Sequence, residues 1–303
     1  MNFRGCALAT TLVLTSSLAT GCSRSRQEAV LLANQGDAIV ELDPSGAIEK
    51  YQNAVNLDAD NHQIKYKLAR AHKKKDEWAK VAEVLGRATD QAPSFANYWK
   101  ERGYALYKQA EAGNIEYDEA KEPFKKCIEA DANQEECYYW LAHAFLWSDK
   151  EQDALQYYTK AIEVRPTRIE YYAPLADLYI RLGYLQEAEQ VLNAAKSLAD
   201  PGKDAVHLFD VHTLLGGVYR DKDDIDKMVS EFEAARALKK DDPSSLFNLG
   251  MGYAKQDGKK AESLQLLKGF QARGCKSKKA QKLYKSECAQ ARAEVQRLKG
   301  PST

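Results

Sequence analysis

The chain has 303 residues, with 44 Lys or Arg against 44 Asp or Glu, 44% hydrophobic residues and 10% aromatics. Balanced charge argues against a dedicated nucleic-acid binder, which needs a basic surplus to displace counterions from phosphate. The apolar content and 17 tyrosines argue against a disordered chain. At about 150 residues per domain, the length fits two domains, or one elongated architecture that adds units without a growing core.

Met1 to Cys22 carry a single Arg4, then the apolar and small stretch Ala7 to Ala19, and then Ala19-Thr20-Gly21-Cys22. This is the three-part form of a secretory signal, with a central stretch too short to span a bilayer. Beyond it no run approaches the about 18 to 20 apolar residues of a membrane span. Small residues and Gly21 directly before a cysteine resemble the bacterial lipobox, although Ala19 stands where that family prefers Leu. The resemblance implies removal of residues 1–21, acylation of Cys22 and a short anchored tether over 22–27. Ordinary cleavage near Ser23 is the alternative. Ser23 is not the Asp that retains such proteins at the inner membrane of enteric bacteria, so the resemblance implies the outer membrane, on its periplasmic side. An inner-membrane lipoprotein or a secreted periplasmic protein are the alternatives. The residues from Ser23 to Gln27, even fully extended, reach less than about 20 Å, so an acylated body sits close to the membrane.

From Gln27 onward the pattern repeats. The clearest unit begins at Glu135, with Tyr138, Leu141, Ala142 and Phe145 on one helix, Ala154, Tyr158 and Ala161 on a second, and then Pro166. The next follows with Tyr172, Leu175, Ala176 and Tyr179, then Ala188, Leu192 and Ala195. This pattern resembles the tetratricopeptide repeat, a helix-turn-helix of about 34 residues in which small residues let two antiparallel helices approach. Weaker copies carry Leu68, Ala69 and His72 with Leu85 and Ala88; Trp99, Gly103 and Leu106 with Ala120, Phe124 and Cys127; Leu215, Gly216 and Tyr219 with Phe232 and Ala235; and Leu246, Leu249, Gly250 and Tyr253 with Leu267 and Phe270. Near the front, Ala47, Tyr51 and Ala54 fit a second helix.

The resemblance implies an all-α, right-handed superhelical solenoid of about seven units over 28–274. Three departures stand out: Gly36 and Asp37 inside the first helix of the first unit, Pro174 inside a helix that must begin late or bend, and Met228 at a small-residue position, where looser packing is expected. Over 275–303, Ala280, Leu283, Tyr284, Cys288, Ala291, Val295 and Leu298 form one stripe at spacings of three and four, which predicts a continuous capping helix.

Catalytic signals are few. The five histidines form no HExxH, and no phosphate loop, dinucleotide loop or nucleophile elbow is present. Asp223 and Asp224 read as a solvated turn beside Lys222 and Lys227. The expectation is a non-enzyme without cofactor or metal. Four cysteines remain after Cys6 and Cys22, none in a CxxC. Cys127 and Cys137 flank the turn at Asn133 at similar distances, so a bridge is plausible. For Cys275 and Cys288, a helix continuous from Lys278 carries Cys288 ~15 Å away, against ~10 Å of return. A bridge there just reaches or requires the helix to start later; otherwise Cys288 is a buried free thiol.

In the family that the repeats resemble, the first helix of each unit lines a groove. Its places fall here on Tyr66, Arg70 and Lys73; Lys100, Tyr104 and Tyr107; Tyr139, His143 and Leu146; and Asp177, Arg181, Arg220 and Phe247. Tyrosine and arginine join large contact area to specific hydrogen bonds, so such a groove suits an extended or helical segment of an envelope protein. Tyr66 and Arg70 replace the Lys/Asn clamp that grips C-terminal carboxylates in chaperone adaptors. The basic tail from Lys276 to Lys299 reads as a solvated face or as a surface for anionic headgroups or an acidic partner. Taken together, the resemblance implies a scaffold for an envelope machine such as a pilus secretin or motility apparatus, similar to pilotin-like lipoproteins. An adaptor for peptidoglycan hydrolases or synthases is the alternative, and an unrecognised hydrolase a distant one.

Overall fold

The computed structural model describes residues 15–300, with side chains from Arg24 onward. Most of the expected signal peptide, residues 1–14, and the last three residues lie outside the described residues, as does the side chain of Cys22. The described residues form sixteen α-helices joined by short turns, with no strand among them. They divide into two compact units, one up to Lys160 and one from Ala161.

In the first unit the helices pair as hairpins: α1 (Thr15–Ile39) with α2 (Pro44–Leu57), α3 (His62–Lys73) with α4 (Trp78–Gln91), and α5 (Ala96–Glu111) with α6 (Asp118–Ala130). α7 (Glu135–Leu146) faces α8 (Glu151–Val164) through the stacked rings of Phe145 and Tyr157, 5.3 Å apart. α1 takes in residues 22–27, so the segment expected as a tether is helical. At 1.5 Å per residue it advances less than half as far as an extended chain.

In the second unit a 3-10 turn at Ile169–Tyr171 leads into α9 (Tyr172–Arg181), which packs on α10 (Leu185–Leu198). α11 (Ala205–Asp221) pairs with α12 (Ile225–Leu238), and α13 (Pro243–Tyr253) with α14 (Lys260–Gly274). α9 thus begins late, as Pro174 requires: in the first helical turn its missing N–H has no intrahelical bond to break. Seven pairs among the described residues match the expected number of units.

Small residues set how closely the two helices of a pair approach. A Cβ added at Gly103 would lie 2.7 Å from the Phe124 ring, and one at Gly216 would lie 2.3 Å from the Phe232 ring. In both pairs the aromatic side chain occupies the space that a larger residue would need. Met228 is only 2% exposed and faces Gly252 of α13, where an added Cβ would come within 3.4 Å of its terminal methyl. The expected loosening is absent because this glycine makes room for the larger side chain.

The turn inside each of the last six pairs uses a left-handed residue. Asp76, Asp149 and Asp223 have φ of 54°, 57° and 58°, and Gly113, Gly183 and Gly258 take the same region. After five of them the chain closes a 6→1 bond typical of a Schellman end: Glu77 to His72, Asn114 to Gln109, Lys150 to Phe145, Tyr184 to Tyr179 and Asp224 to Tyr219, at 2.8 to 3.1 Å. Asp and Gly tolerate this conformation better than most residues. Asp224 then caps α12 by accepting from the Lys227 N–H, so the polar Asp223-Asp224 pair is a turn with structural duties.

Both disulfides form. Cys127 at the end of α6 joins Cys137 at the start of α7, with Cα atoms 6.2 Å apart. Cys275 joins Cys288 with Cα atoms 5.8 Å apart. The second bond corrects the expected capping helix. The stripe is not continuous but breaks at Tyr284 into α15 (Lys278–Leu283) and α16 (Lys285–Lys299). A straight helix from Lys278 would leave Cys288 at the limit of reach, and the break brings it closer. Cys288, Ala291, Val295 and Leu298 on α16 are buried, and α16 packs on α13 and α14. Leu283 on α15 is instead 71% exposed.

Candidate functional site

In the first unit the expected groove residues fall on α3, α5 and α7, the first helices of their pairs. Aromatic rings link them in two groups, one around Tyr98 and one around Tyr104 and Trp140. Tyr66 on α3 lies 4.9 Å from Tyr98 on α5, whose hydroxyl bonds the His62 Nδ1 at 2.9 Å. Tyr104 packs edge-on against Trp78 at 5.6 Å and against Trp140 on α7 at 4.8 Å. Trp140 in turn lies 5.1 Å from Tyr107 and 5.3 Å from His143, and Tyr139 lies 4.6 Å from His143. All four tryptophans of the chain belong to this unit. A cavity of about 300 Å3 opens beside Trp78, with Glu77, Lys80, Lys108 and Gln109 in its wall.

The charges along these helices are mostly paired. Lys73 bonds Glu101 at 2.6 Å, with its ammonium 5.1 Å from the centre of the Tyr104 ring. Lys100 pairs with Glu136 at 2.6 Å, which ties α5 to α7. Arg70 is exposed and pairs with no carboxylate among the described residues. Burial pushes the Tyr66 and Tyr107 phenols up, so both are protonated at neutral pH.

Several expected groove residues do more packing than presenting. Tyr107 is 5% exposed and is enclosed by Tyr117, Trp140 and His143. His143 is surrounded by the rings of Tyr107, Tyr139, Trp140 and Tyr158. Both of its ring nitrogens are buried with no hydrogen-bond partner among the described residues. Burial lowers its pKa to about 4, which keeps the imidazole neutral at pH 7. Leu146 is half-buried at the end of α7. The accessible part of the face is therefore Tyr66, Arg70, Lys73, Lys100, Tyr104 and Tyr139, with Trp140 among them.

The second unit carries no such groups at the expected places. Asp177 and Arg181 stand one turn apart on α9, both exposed, and Arg220 is exposed beside Asp221 at 3.0 Å. Phe247 is a correction: it is 8% exposed, with its ring 5.1 Å from Phe270. The chain after Gly274 folds back as α16 against α13 and α14, and Phe270 also meets Tyr284 at 5.8 Å. This enclosure turns the residue into core.

Trp140, Trp78, Glu101 and Glu136 belong to the face and were not among the expected residues. Trp140 follows Tyr139 directly and falls between the groove places of the repeat. The aromatic run Tyr138-Tyr139-Trp140 was the available signal, since three consecutive aromatics on one helix cannot all face the same core.

Residues 135–168 and 169–200 each match the family model described as the tetratricopeptide repeat. The chain carries tetratricopeptide repeats. No curated protein sequence matches it. Among solved structures, it resembles the C-terminal part of a TPR repeat-containing protein from Cytophaga hutchinsonii, with a TM-score of 0.61 at 14% identity over 77% of this chain and 92% of that one. It also resembles pilF of Pseudomonas aeruginosa, with a TM-score of 0.55 at 16% identity over 74% and 96%. A third is YrrB, described as a TPR protein with an unusual peptide-binding site, with a TM-score of 0.51 at 21% identity over 66% and 97%. At these identities the likeness is one of fold.

Proposed function

We propose that this protein is a non-enzymatic, lipid-anchored scaffold that holds an extended or helical segment of an envelope protein against the aromatic face of α3, α5 and α7. One observation carries the reading: the ring cluster of Trp78, Tyr104, Tyr139 and Trp140, with the separate Tyr66–Tyr98 contact on the same helices α3 and α5, edged by Arg70 and by cations already held in ion pairs. Rigid aromatic rings supply contact area at small conformational cost, and the paired Lys73 and Lys100 give that area a fixed polar border. The assignment to outer-membrane assembly of a pilus secretin or motility machine is supported by the lipobox-like Ala19 to Cys22, by the many repeats and by the fold likeness to pilF. No helix among the described residues is long and apolar enough to cross a membrane, so acylated Cys22 is the proposed attachment.

A photo-crosslinking residue at Arg70, introduced in living cells, is expected to capture one envelope protein. Capture of a secretin or pilus component supports the assembly role, and a cell-wall enzyme replaces it with the adaptor role. No product from the envelope removes the groove reading altogether. Tyr104→Ala with Trp140→Ala should weaken the captured interaction more than tenfold, as loss of aromatic hot spots does. Cys22→Ala should release the protein from membranes, and unchanged acyl labelling would refute lipidation.

A further inference from the structure

The two helices that follow the last repeat form an open cleft of about 340 Å3 lined by Lys278, Gln281, Lys282, Lys285, Cys288 and Arg292. Its lining has four cations and no carboxylate. Lys278 and Lys282 are one turn apart on α15, and Lys285, Cys288 and Arg292 follow the spacing of one face on α16. None of the four cationic side chains has an ion pair or hydrogen bond among the described residues, whereas Arg297 on the same helix is held by Glu294 at 3.0 and 2.9 Å. The tail from Lys276 to Lys299 has only two acids, Glu287 and Glu294, and neither lines the cleft.

The cleft is built rather than incidental. The Cys275–Cys288 bond fixes its floor and sets α15 against α16, and the Gln281 Nε2 donates to the Cys275 carbonyl at 2.8 Å, which holds one wall. α16 begins without a side-chain cap at Tyr284, so the positive end of a fifteen-residue helix lies at the same place as Lys285. Four cations share this cleft with no carboxylate in its lining, and an anion that enters relieves their mutual repulsion. A compact oxyanion that accepts several donors at once meets this geometry best, which is the chemistry of a phosphate group.

We propose that the cleft between α15 and α16 binds a phosphate-type oxyanion, either on a soluble phosphorylated compound or on a phospholipid headgroup. The site is independent of the aromatic face and stands whether or not that face binds a partner.

Inorganic pyrophosphate titrated calorimetrically into the full mature chain at low salt is the direct probe. Saturable binding of one equivalent is expected, with at least tenfold weaker binding for the Lys282→Gln/Lys285→Gln double variant. A Lys276→Gln/Lys279→Gln control removes two charges from the same tail outside the cleft and should change affinity less than twofold. No saturable heat, or equal loss in both variants, overturns the proposal. Co-sedimentation of the Cys22→Ala chain, which carries no lipid of its own, with phosphatidylglycerol and phosphatidylcholine vesicles separates the two sources. Retention on the anionic vesicles that is lost in the Lys282/Lys285 variant identifies the headgroup, and pyrophosphate binding without vesicle retention identifies a soluble phosphate. All substitutions fall on exposed side chains, so circular dichroism should show the variants folded like the parent.

Discussion

Replacing Glu231 by Ala is expected to destabilise the second unit by about 3 kcal/mol. Glu231 lies on α12 with its side chain only 10% exposed, and it accepts from Lys196 on α10 at 2.7 Å and from His212 on α11 at 2.6 Å. One carboxylate thus binds together three helices belonging to two pairs. Burial alone would raise its pKa, but the hydrogen bonds from His212 and Lys196 outweigh that penalty and hold the carboxyl below its usual range. Truncation leaves the half-buried Lys196 and the more buried His212 without their shared acceptor. Lys196 is 37% exposed and recovers water, which keeps the cost at the lower end for a broken buried pair. Because the folded pKa is depressed, the stabilisation is present at neutral pH and is lost as pH falls below the ordinary carboxylate range near 4.5. Urea midpoints at pH 7 and pH 3 check both parts. A wild-type minus Glu231→Ala difference that stayed constant between the two pH values would mean that the carboxylate's charge contributes nothing.

Much of the architecture was legible because repeat packing rests on a few positions with steric consequences. Gly103 against Phe124 and Gly216 against Phe232 are readable from spacing alone, since only a small residue at one place accommodates a ring at the other. The left-handed turn residues follow the same logic at Gly113, Gly183 and Gly258, but Asp76, Asp149 and Asp223 hide it, because Asp is equally ordinary in a solvated loop. The break at Tyr284 was invisible to periodicity, which counts apolar residues and knows nothing of a covalent bond. Only the reach between Cys275 and Cys288 hinted that the helix starts late. Likewise the repeat's groove places are defined by a unit with neighbours like itself. They serve on α3 and α5, and they mislead at Phe247, where the chain folds back and encloses the ring.

The aromatic face makes its own prediction through His143. An imidazole with both nitrogens buried and unpartnered is carried at a cost that the surrounding rings offset by packing, and burial sets its pKa at about 4. In the unfolded chain the same group titrates near 6.5. Between these values the unfolded state holds the proton and the folded state does not, so stability falls as pH drops through this window. From pH 7 to pH 5 the loss attributable to His143 is about 2 kcal/mol, which follows from ~1.4 kcal/mol per unit of pKa difference. His143→Phe keeps a ring of similar size and removes both orphaned nitrogens, so it should be neutral or stabilising at pH 7. It should also unfold with a visibly smaller acid dependence than the parent. Comparison of the two proteins cancels the other histidines, which are common to both. Parallel pH profiles would show that the imidazole finds water or a partner in solution, and the face would then be open around α7 rather than sealed by Trp140. The expected result instead ties the face to acidity. Protonation of His143 requires the rings around it to part, so mild acid should loosen the surface formed by Tyr104, Tyr139 and Trp140, with a matching change in tryptophan fluorescence before global unfolding.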